Sequence, residues 1–494
     1  MAMDRRSTSR LPRMQPLASC LLILLSGADP AYSSDNFVPA AAAARRAGSD
    51  LGTAATSAVV VGNCNDSGPG SLRDAYFNAV DGVTIDLTPL ACSRITLTTG
   101  ALTDPGGGGT VGIVLKGSGQ IIDGNHAGRV LVHNGPDTLT IHDLSIVNGT
   151  YTSAGYGGGC IYSHGDLILE SSTVSDCSLT TPAGGGNAFG GAVYSRQRVV
   201  LIKNSAVVNS KATAMKYGSA EGGGVWAHGV AIVNSIVSGN SAIGDKAGSR
   251  GGGVFATYTA DKNQAFGMAY STVANNYANR GGGVYVYGDA RLNYSTVSGN
   301  TAGGDGGGMY VRTNLSYAYT HTAFLVSTIS GNRAGGDGGG LFVNAIAPFT
   351  SCTIAANYAL VSGGGAYLKL APHLFTSTIA ANNIAAQNPA AADLGGSSAA
   401  ITGSRNIIRV SSIAVPNGTV TSDPKLGPLQ DNGGLTFTQA LLPGSPAIDK
   451  GSNIVGFATD QRGPGFPRVV GESADIGAFE RQDRLFKNGF EAGP

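Results

Sequence analysis

Eight successive segments of this chain repeat the same two short strings in the same order, and self-similarity of that kind decides an architecture before any single motif does. The first string is a run of glycines followed by an apolar and an aromatic residue. It reads Gly158-Gly159-Cys160-Ile161-Tyr162, then Gly190-Gly191-Ala192-Val193-Tyr194, with further copies starting at Gly222, Gly251, Gly281, Gly306, Gly338 and Gly363. Successive copies start 25 to 32 residues apart, which is the chain length of one coil built from a few short strands and turns. Stacking such coils gives an all-β, single-stranded right-handed parallel β-helix.

Period-two alternation assigns the faces of each strand. In the glycine-led strand, Ile161, Val193, Val225, Val254, Val284, Met309, Leu341 and Ala366 are expected inward. The second string is Ser-Thr-Val-Ser-Gly-Asn at 295–300, with close copies starting at Ser172, Ser205, Ser235, Ser271, Ser327, Cys352 and Ser377. Its inward column is expected at Val174, Val207, Val237, Val273, Val297, Ile329, Ile354 and Ile379. Its last position is Cys177, Ser210, Asn240, Asn276, Asn300, Asn332, Asn357 and Asn382. Asn tolerates a sharp left-handed corner, and stacked Asn amides bond along the axis, so this column is expected to be a structural ladder.

An open solenoid end exposes strand edges, so both ends should be capped. Ser71-Leu72-Arg73-Asp74 resembles a helix start, and Leu72, Ala75, Tyr76 and Ala79 form one apolar helical face, the expected N-terminal plug. First-coil strands are expected at 83–87, 94–98, 111–115, 130–133 and 139–147. A β/loop cap is expected over 401–481. Glycine-rich repeats fill 157–400, the N-terminal cap and first coils 59–156, and a short tail 482–494. Ahead of these lie a signal peptide (1–33) and a flexible Ala-rich segment (34–58). The signal peptide is read from Arg5, Arg6, Arg10 and Arg13, the apolar stretch from Leu17 to Leu25, and the small residues after it. Cys20 lies before most of that apolar stretch, in the wrong place for a lipoprotein acylation site. No later stretch has the length of about 20 apolar residues that spans a bilayer.

Export implies an oxidising compartment. Cys64, Cys92, Cys160, Cys177 and Cys352 then make two disulfides and one remaining thiol. Cys64 and Cys92 suit a link from plug to first coils, and the full connectivity stays open. None of the cysteines has zinc spacing. A formal net charge of +1, without a Lys/Arg run in the body of the chain, argues against nucleic acid as partner. The mature chain is expected to be a monomer without a transmembrane anchor, secreted or on the outer surface of a bacterium.

The glycine halves of the repeats are similar to Gly-Gly-Ala-Ile repeats of polymorphic outer membrane proteins, whereas the Asn halves carry Val or Ile where that family has an aromatic residue. The C-terminal strings Asp423-Pro424-Lys425-Leu426-Gly427, Asp431-Asn432-Gly433-Gly434, Pro443-Gly444-Ser445-Pro446-Ala447-Ile448-Asp449, Asp460-Gln461-Arg462-Gly463 and Asp475-Ile476-Gly477-Ala478-Phe479-Glu480 resemble, in that order, a choice-of-anchor Q domain. The resemblance implies export and surface location more than chemistry. An autotransporter barrel, with many alternating strands, is absent from the sequence.

The candidate site is an outward aromatic column: Tyr162, Tyr194, Trp226, Phe255, Tyr285, Tyr310, Phe342 and Tyr367. Two residues on, His164, Arg196, His228, Thr257, Tyr287, Arg312, Asn344 and Lys369 flank it. Rings one coil apart can stack on each other and stabilise the sheet. Alternatively, an exposed strip can stack on sugars, with the polar flank bonding a polysaccharide or cell-surface glycan. Segments 178–189, 211–221 and 241–250 stack as a rim, expected to be surface decoration or a cleft wall. The favoured function is adhesion or carbohydrate binding without catalysis. The alternative is a secreted polysaccharide lyase or glycoside hydrolase, although no two acids of the coils make a recognisable catalytic pair. No cofactor is expected. Structural calcium is the lesser reading of Asp449, Asp460, Arg462, Asp475 and Glu480, against a charge-paired turn network, and Asp305 and Asp337 read as turn residues.

Overall fold

The computed structural model describes residues 58–482 apart from 106–111, 153–156, 197, 246–247, 259–263, 314–320 and 398–399. The signal peptide, nearly all of the Ala-rich segment and the tail beyond Gln482 lie outside the described residues.

The chain winds as a parallel β-helix. One coil shows the path: Ile161–Ser163, Leu167–Glu170, Thr173–Ser175, Ser178–Thr181 and Ala188–Phe189. Each strand pairs in parallel with its counterpart a repeat later, for example Tyr194 with Trp226 and Val207 with Val237. Stacking the coils gives an eleven-stranded sheet that carries the aromatic column, a 23-stranded sheet with two strands per coil, a nine-stranded sheet after the Asn corner, and a three-stranded sheet in the early coils. The two strands per coil of the large sheet meet at a corner of positive φ, at Ser171, Asn204, Asn234, Tyr270, Tyr294, Val326, Ser351 and Ser377.

The inward columns are as tight as stacked identical coils allow. Val174, Val207, Val237, Val273, Val297, Ile329 and Ile354 are fully buried, each contributing about 1.5–3 kcal/mol by burial. Two internal hydrogen-bonded ladders hold the corners. Backbone N–H groups of Ser172, Ser205, Ser235, Ser271 and Ser295 each donate to the serine Oγ of the next coil. The Asn column does the same from Ser210 onward. The serines looked like mere repeat starts in the sequence; they satisfy buried backbone donors that would otherwise go unpaired.

The last of the eight string copies departs from the expected register by one residue. Phe375 stacks on Phe349, and Phe349 on Phe324, with ring centroids 4.4 and 4.6 Å apart inside the coil. Aligning those rings puts Ser377 at the left-handed corner, so Thr378 takes the place opposite Cys352 and Ile354 pairs with Ala380. Ile379 therefore points outward, and Asn383, not Asn382, continues the ladder by donating to Asp393. The string match at 377–382 had no knowledge of the inner ring stack, which outweighs one valine-sized side chain.

At the N-terminal end a helix, α1 (Leu72–Phe77), lies across the first coils, with Ser71 Oγ accepting from Asp74 N and Leu72, Ala75 and Tyr76 buried. Disulfides join Cys64 to Cys92 and Cys160 to Cys177. Cys352 is buried and free, and burial pushes its thiol up to about 12.

The C-terminal segment does more than close an end. After the last coil, residues 421–482 run back along the outside of the large sheet. Phe457 packs edge-on to Tyr294, Thr436 bonds the Tyr294 carbonyl, Gln461 bonds Thr296 and Thr328, Ala478 N donates to Thr353, and Ser377 exchanges hydrogen bonds with Ser452. Thr296 and Thr328 point out of the solenoid yet are fully buried by this cover. In an earlier coil beyond its reach, the equivalent Ile236 is 48% exposed. Among the described residues no helix is long and apolar enough to cross a membrane.

Candidate functional site

All eight aromatic residues fall in register on the outer face of the eleven-stranded sheet. They do not form an exposed strip. Tyr194, Phe255, Tyr285, Tyr310 and Phe342 are between 4 and 9% exposed, and only Tyr162, Trp226 and Tyr367 are partly open. From Trp226 to Tyr367 the planes are within 13° of parallel, with centroids 4.5–6.0 Å apart. Coil spacing of about 4.8 Å enforces this: each ring uses its two faces on its neighbours and turns an edge to solvent. A platform for a sugar needs a ring face, so the interior of the column is a stabilising stack.

The rim segments are built, not loose. Leu179, Ala188, Ala212, Ala214, Ala220, Ala242 and Ala278 make a second small core beneath the wall that these segments form. The wall leans on the column: Phe189 packs on Tyr194 and Trp226, Trp226 donates its indole N–H to Glu221 at 3.1 Å, and Arg250 pairs with Glu221 while sitting 5.6 Å from the Tyr285 ring. Burial raises the Glu221 carboxyl above its ordinary range, and burial lowers His228 on the opposite flank. Further along the same corner Arg280 faces Asp305 at 3.9 Å, and Asp305 accepts the Asp337 backbone N–H.

The polar flank lies in register with the column at Thr257, Tyr287, Arg312 and Asn344. Arg312 stacks over Tyr287. His164 and Arg196 are half-buried and hold backbone bonds one coil apart, while Lys369 is exposed. These groups do not converge on a shared point; they are spread along the axis at one per coil.

The open surface of this sheet lies at its N-terminal end, where the outward column continues as Thr103, Val132 and Tyr162. Two concavities adjoin there, sharing Ala101. One, of about 360 Å³, is lined by Arg73, Asp74, Phe77 and Thr103. The other, of about 500 Å³, is lined by His126, Arg129, Val132, Thr150, Tyr151 and Thr152. Phe77 is 61% exposed. Tyr162 ends the ring stack, with Val132 rather than a ring on its N-terminal side and the Arg129 guanidinium 5.2 Å from its ring centroid. Both arginines are committed to the fold. Arg73 bonds Asp66 and the carbonyls of Gly100 and Ala101; Arg129 bonds the carbonyls of Gly157 and Gly158 and lies 3.4 Å over the Tyr151 ring. Burial holds Arg129 below the usual guanidinium range. Asp74, the carboxylate lining these concavities, accepts from Gly70 N and Asn78 Nδ2. Phe77 and Tyr151 carried no repeat signal, because they belong to the plug and to the irregular first coils.

In the C-terminal segment two of the motif acids pair with arginines, and the other two accept from backbone N–H groups. Arg462 makes a two-pronged bond to Asp460, and Arg468, absent from the sequence-level set, bonds Glu480. Asp475 accepts from Asp449 N and Arg481 N. Among the described residues no three His, Cys, Asp or Glu side chains converge as a metal site.

No family model and no curated protein matches this chain. Among solved structures, a crystal structure of pectate lyase Pel9A is similar at 16% identity, covering 86% of this chain and 98% of that chain with a TM-score of 0.35. A likeness of that size adds nothing to what the strand pairing already establishes.

Proposed function

We propose that this chain is an exported, cell-surface β-helix scaffold that binds carbohydrate without transforming it, and that the binding groove is the pair of adjoining concavities at the N-terminal end of the aromatic sheet. The observation that carries this reading is the axial pair Thr103–Val132, continued in register by Tyr162, with Phe77 lining one adjoining concavity and Tyr151 the other. Concavities of about 300–1,000 Å³ with aromatic walls and a few polar groups are the usual form of a ligand site. The hydroxyls of Thr103, Thr150 and Thr152 and the exposed His126 supply hydrogen bonds. The charged groups nearby are already engaged, so the groove suits a neutral glycan. Asp74 is tied to the helix cap, which leaves hydrolysis without a carboxylate pair and favours binding.

Surface location rests on the signal-peptide pattern at 1–33 and on the choice-of-anchor Q-like strings, whose acids share one arginine-centred network in the segment that covers the solenoid. The test is native electrophoresis through gels containing neutral polysaccharides (xylan, galactan, mannan), comparing the wild type with Phe77→Ala/Tyr162→Ala. Retardation lost in the variant supports the groove; equal retardation of both proteins counts against it. Release of reducing ends or unsaturated products from any of these polymers would replace binding by the enzymatic alternative.

A further inference from the structure

The aromatic column hides its ring faces, but another face of the solenoid leaves them open. The outward column of the nine-stranded sheet runs from Ser178 through Lys211, Ser241, Tyr277, Thr301, Arg333 and Tyr358 to Ile384. Here the aromatic residues are separated by small ones. Tyr277 is 45% exposed, and its register neighbours are Ser241 and Thr301. Its hydroxyl lies over Gly303, where an added methyl group would come within 3.7 Å of it, so the ring reclines along the surface.

Two coil steps further on stands Arg333, and a third step, roughly 14 Å from Tyr277 at the spacing of parallel strands, brings Tyr358, whose ring lies 4.1 Å from the Arg333 guanidinium. Between these two anchors the column carries only the small Thr301, and the parallel line beside it, two residues on, is bare backbone. Gly303 and Gly335 are both exposed, and a side chain at Gly335 would strike the Gly303 carbonyl, so the stacking of the coils itself excludes one there. The result is a shallow axial trough with a ring at each end. Its charge is one-sided: Lys211 and Arg333 are exposed cations, and this outward column holds no carboxylate. At the margin, Asp305 is paired with Arg280, and Asp337 stacks beside Asp305, with burial, then Asp305, raising its carboxyl above the ordinary range.

We propose that this face is a second binding site, distinct from the N-terminal groove, that takes an acidic polysaccharide lying along the solenoid axis, with sugar rings on Tyr277 and the Arg333–Tyr358 pair and uronate carboxylates on Arg333 and Lys211. A linear polymer fits because a stack of coils sets successive side chains at a constant axial step, as a polymer sets its units. Charge complementarity selects the acidic class, since an arginine–carboxylate bond is stronger than a neutral one.

The experiment measures retardation of the full chain in native gels containing polygalacturonate or the same polymer with its carboxyls reduced. The variants are Tyr277→Ala, Arg333→Gln, their double, and Phe77→Ala/Tyr162→Ala; the first two residues are exposed, and thermal unfolding checks each fold. The expected result is retardation of the wild type by polygalacturonate and little by the reduced polymer. The Tyr277→Ala/Arg333→Gln protein should bind about tenfold or more weakly, and the Phe77→Ala/Tyr162→Ala protein should bind like the wild type. Should Tyr277→Ala not fold, Arg333→Gln alone carries the test. Wild-type behaviour of the double variant, equal retention by the reduced polymer, or no retardation of the wild type overturns the proposal. None of these results bears on neutral-glycan retention through the N-terminal groove.

Discussion

Asn300 donates its side-chain amide to Asn332 Oδ1 at 2.9 Å, and its own Oδ1 accepts from both the backbone and the side chain of Asn276, at 3.0 and 2.9 Å. The same amide also reaches the Val273 carbonyl. One buried residue thus completes the hydrogen bonding of three coils. Replacing it with Ala leaves several buried donors and acceptors unpaired, each costing about 1–3 kcal/mol. Asn300→Ala should lower the thermal midpoint sharply. Asn275→Gly, at an exposed left-handed position one residue before the ladder, should stay within about 0.5 kcal/mol of the wild type.

Tyr310 sits between Tyr285 and Phe342 at 4.9 and 4.5 Å. Because its faces are occupied, Tyr310→Ala is a core mutation on an outward position. Chemical denaturation should show a loss of about 3–5 kcal/mol, the range for removing a buried aromatic ring. Glycan retention by the protein that remains folded should not change.

His373 is fully buried beside Phe349, and burial pushes its imidazole down to about 4. The unfolded chain therefore takes up a proton near pH 6.5 that the folded protein refuses until about pH 4. Stability from this residue is complete above pH 6.5 and falls as pH drops through that window, by up to about 3 kcal/mol. His373→Leu should flatten the difference in denaturation midpoint between pH 7 and pH 4. A slope identical to that of the wild type would show that His373 does not titrate on unfolding.

Gln461 pins the C-terminal cover to the solenoid, accepting from Thr328 and donating to Thr296 and Thr436. Gln461→Leu leaves the buried Thr328 hydroxyl without its acceptor and takes one donor away from Thr296 and Thr436, which still donate to the Phe437 and Tyr294 carbonyls. Hydrogen exchange should rise in the segment 421–482 and at the 296–298 and 328–330 strands, while the early coils, which the cover does not reach, keep wild-type protection. Uniform change along the chain would mean the cover and the solenoid unfold as one unit.

The repeated strings contained most of the fold. Their period predicts the coil, and their alternation predicts which valines point inward, because strand periodicity and close packing act on the repeat itself. The one slipped register, at Thr378 and Asn383, came from the inner Phe324–Phe349–Phe375 stack, whose members stand outside both strings. The candidate site was less legible. Alternation says that Tyr285 and Tyr310 point outward, and they do; it says nothing about whether an outward ring shows solvent its face or its edge.

The sequence by itself determined the coil, the columns and the ladders, since each coil repeats the same local chemistry against its neighbour. Only the tertiary structure decided which outward surfaces remain open. Coil spacing closes the ring faces of the aromatic column, the wall at 178–250 leans over its edge, and the C-terminal segment covers Thr296 and Thr328 from more than 130 residues away in the chain. Exposure depends on what packs from a distance, and a pattern of neighbouring residues does not record it. Among the described residues nothing packs that way on the nine-stranded face, so Tyr277 and Arg333 stay open.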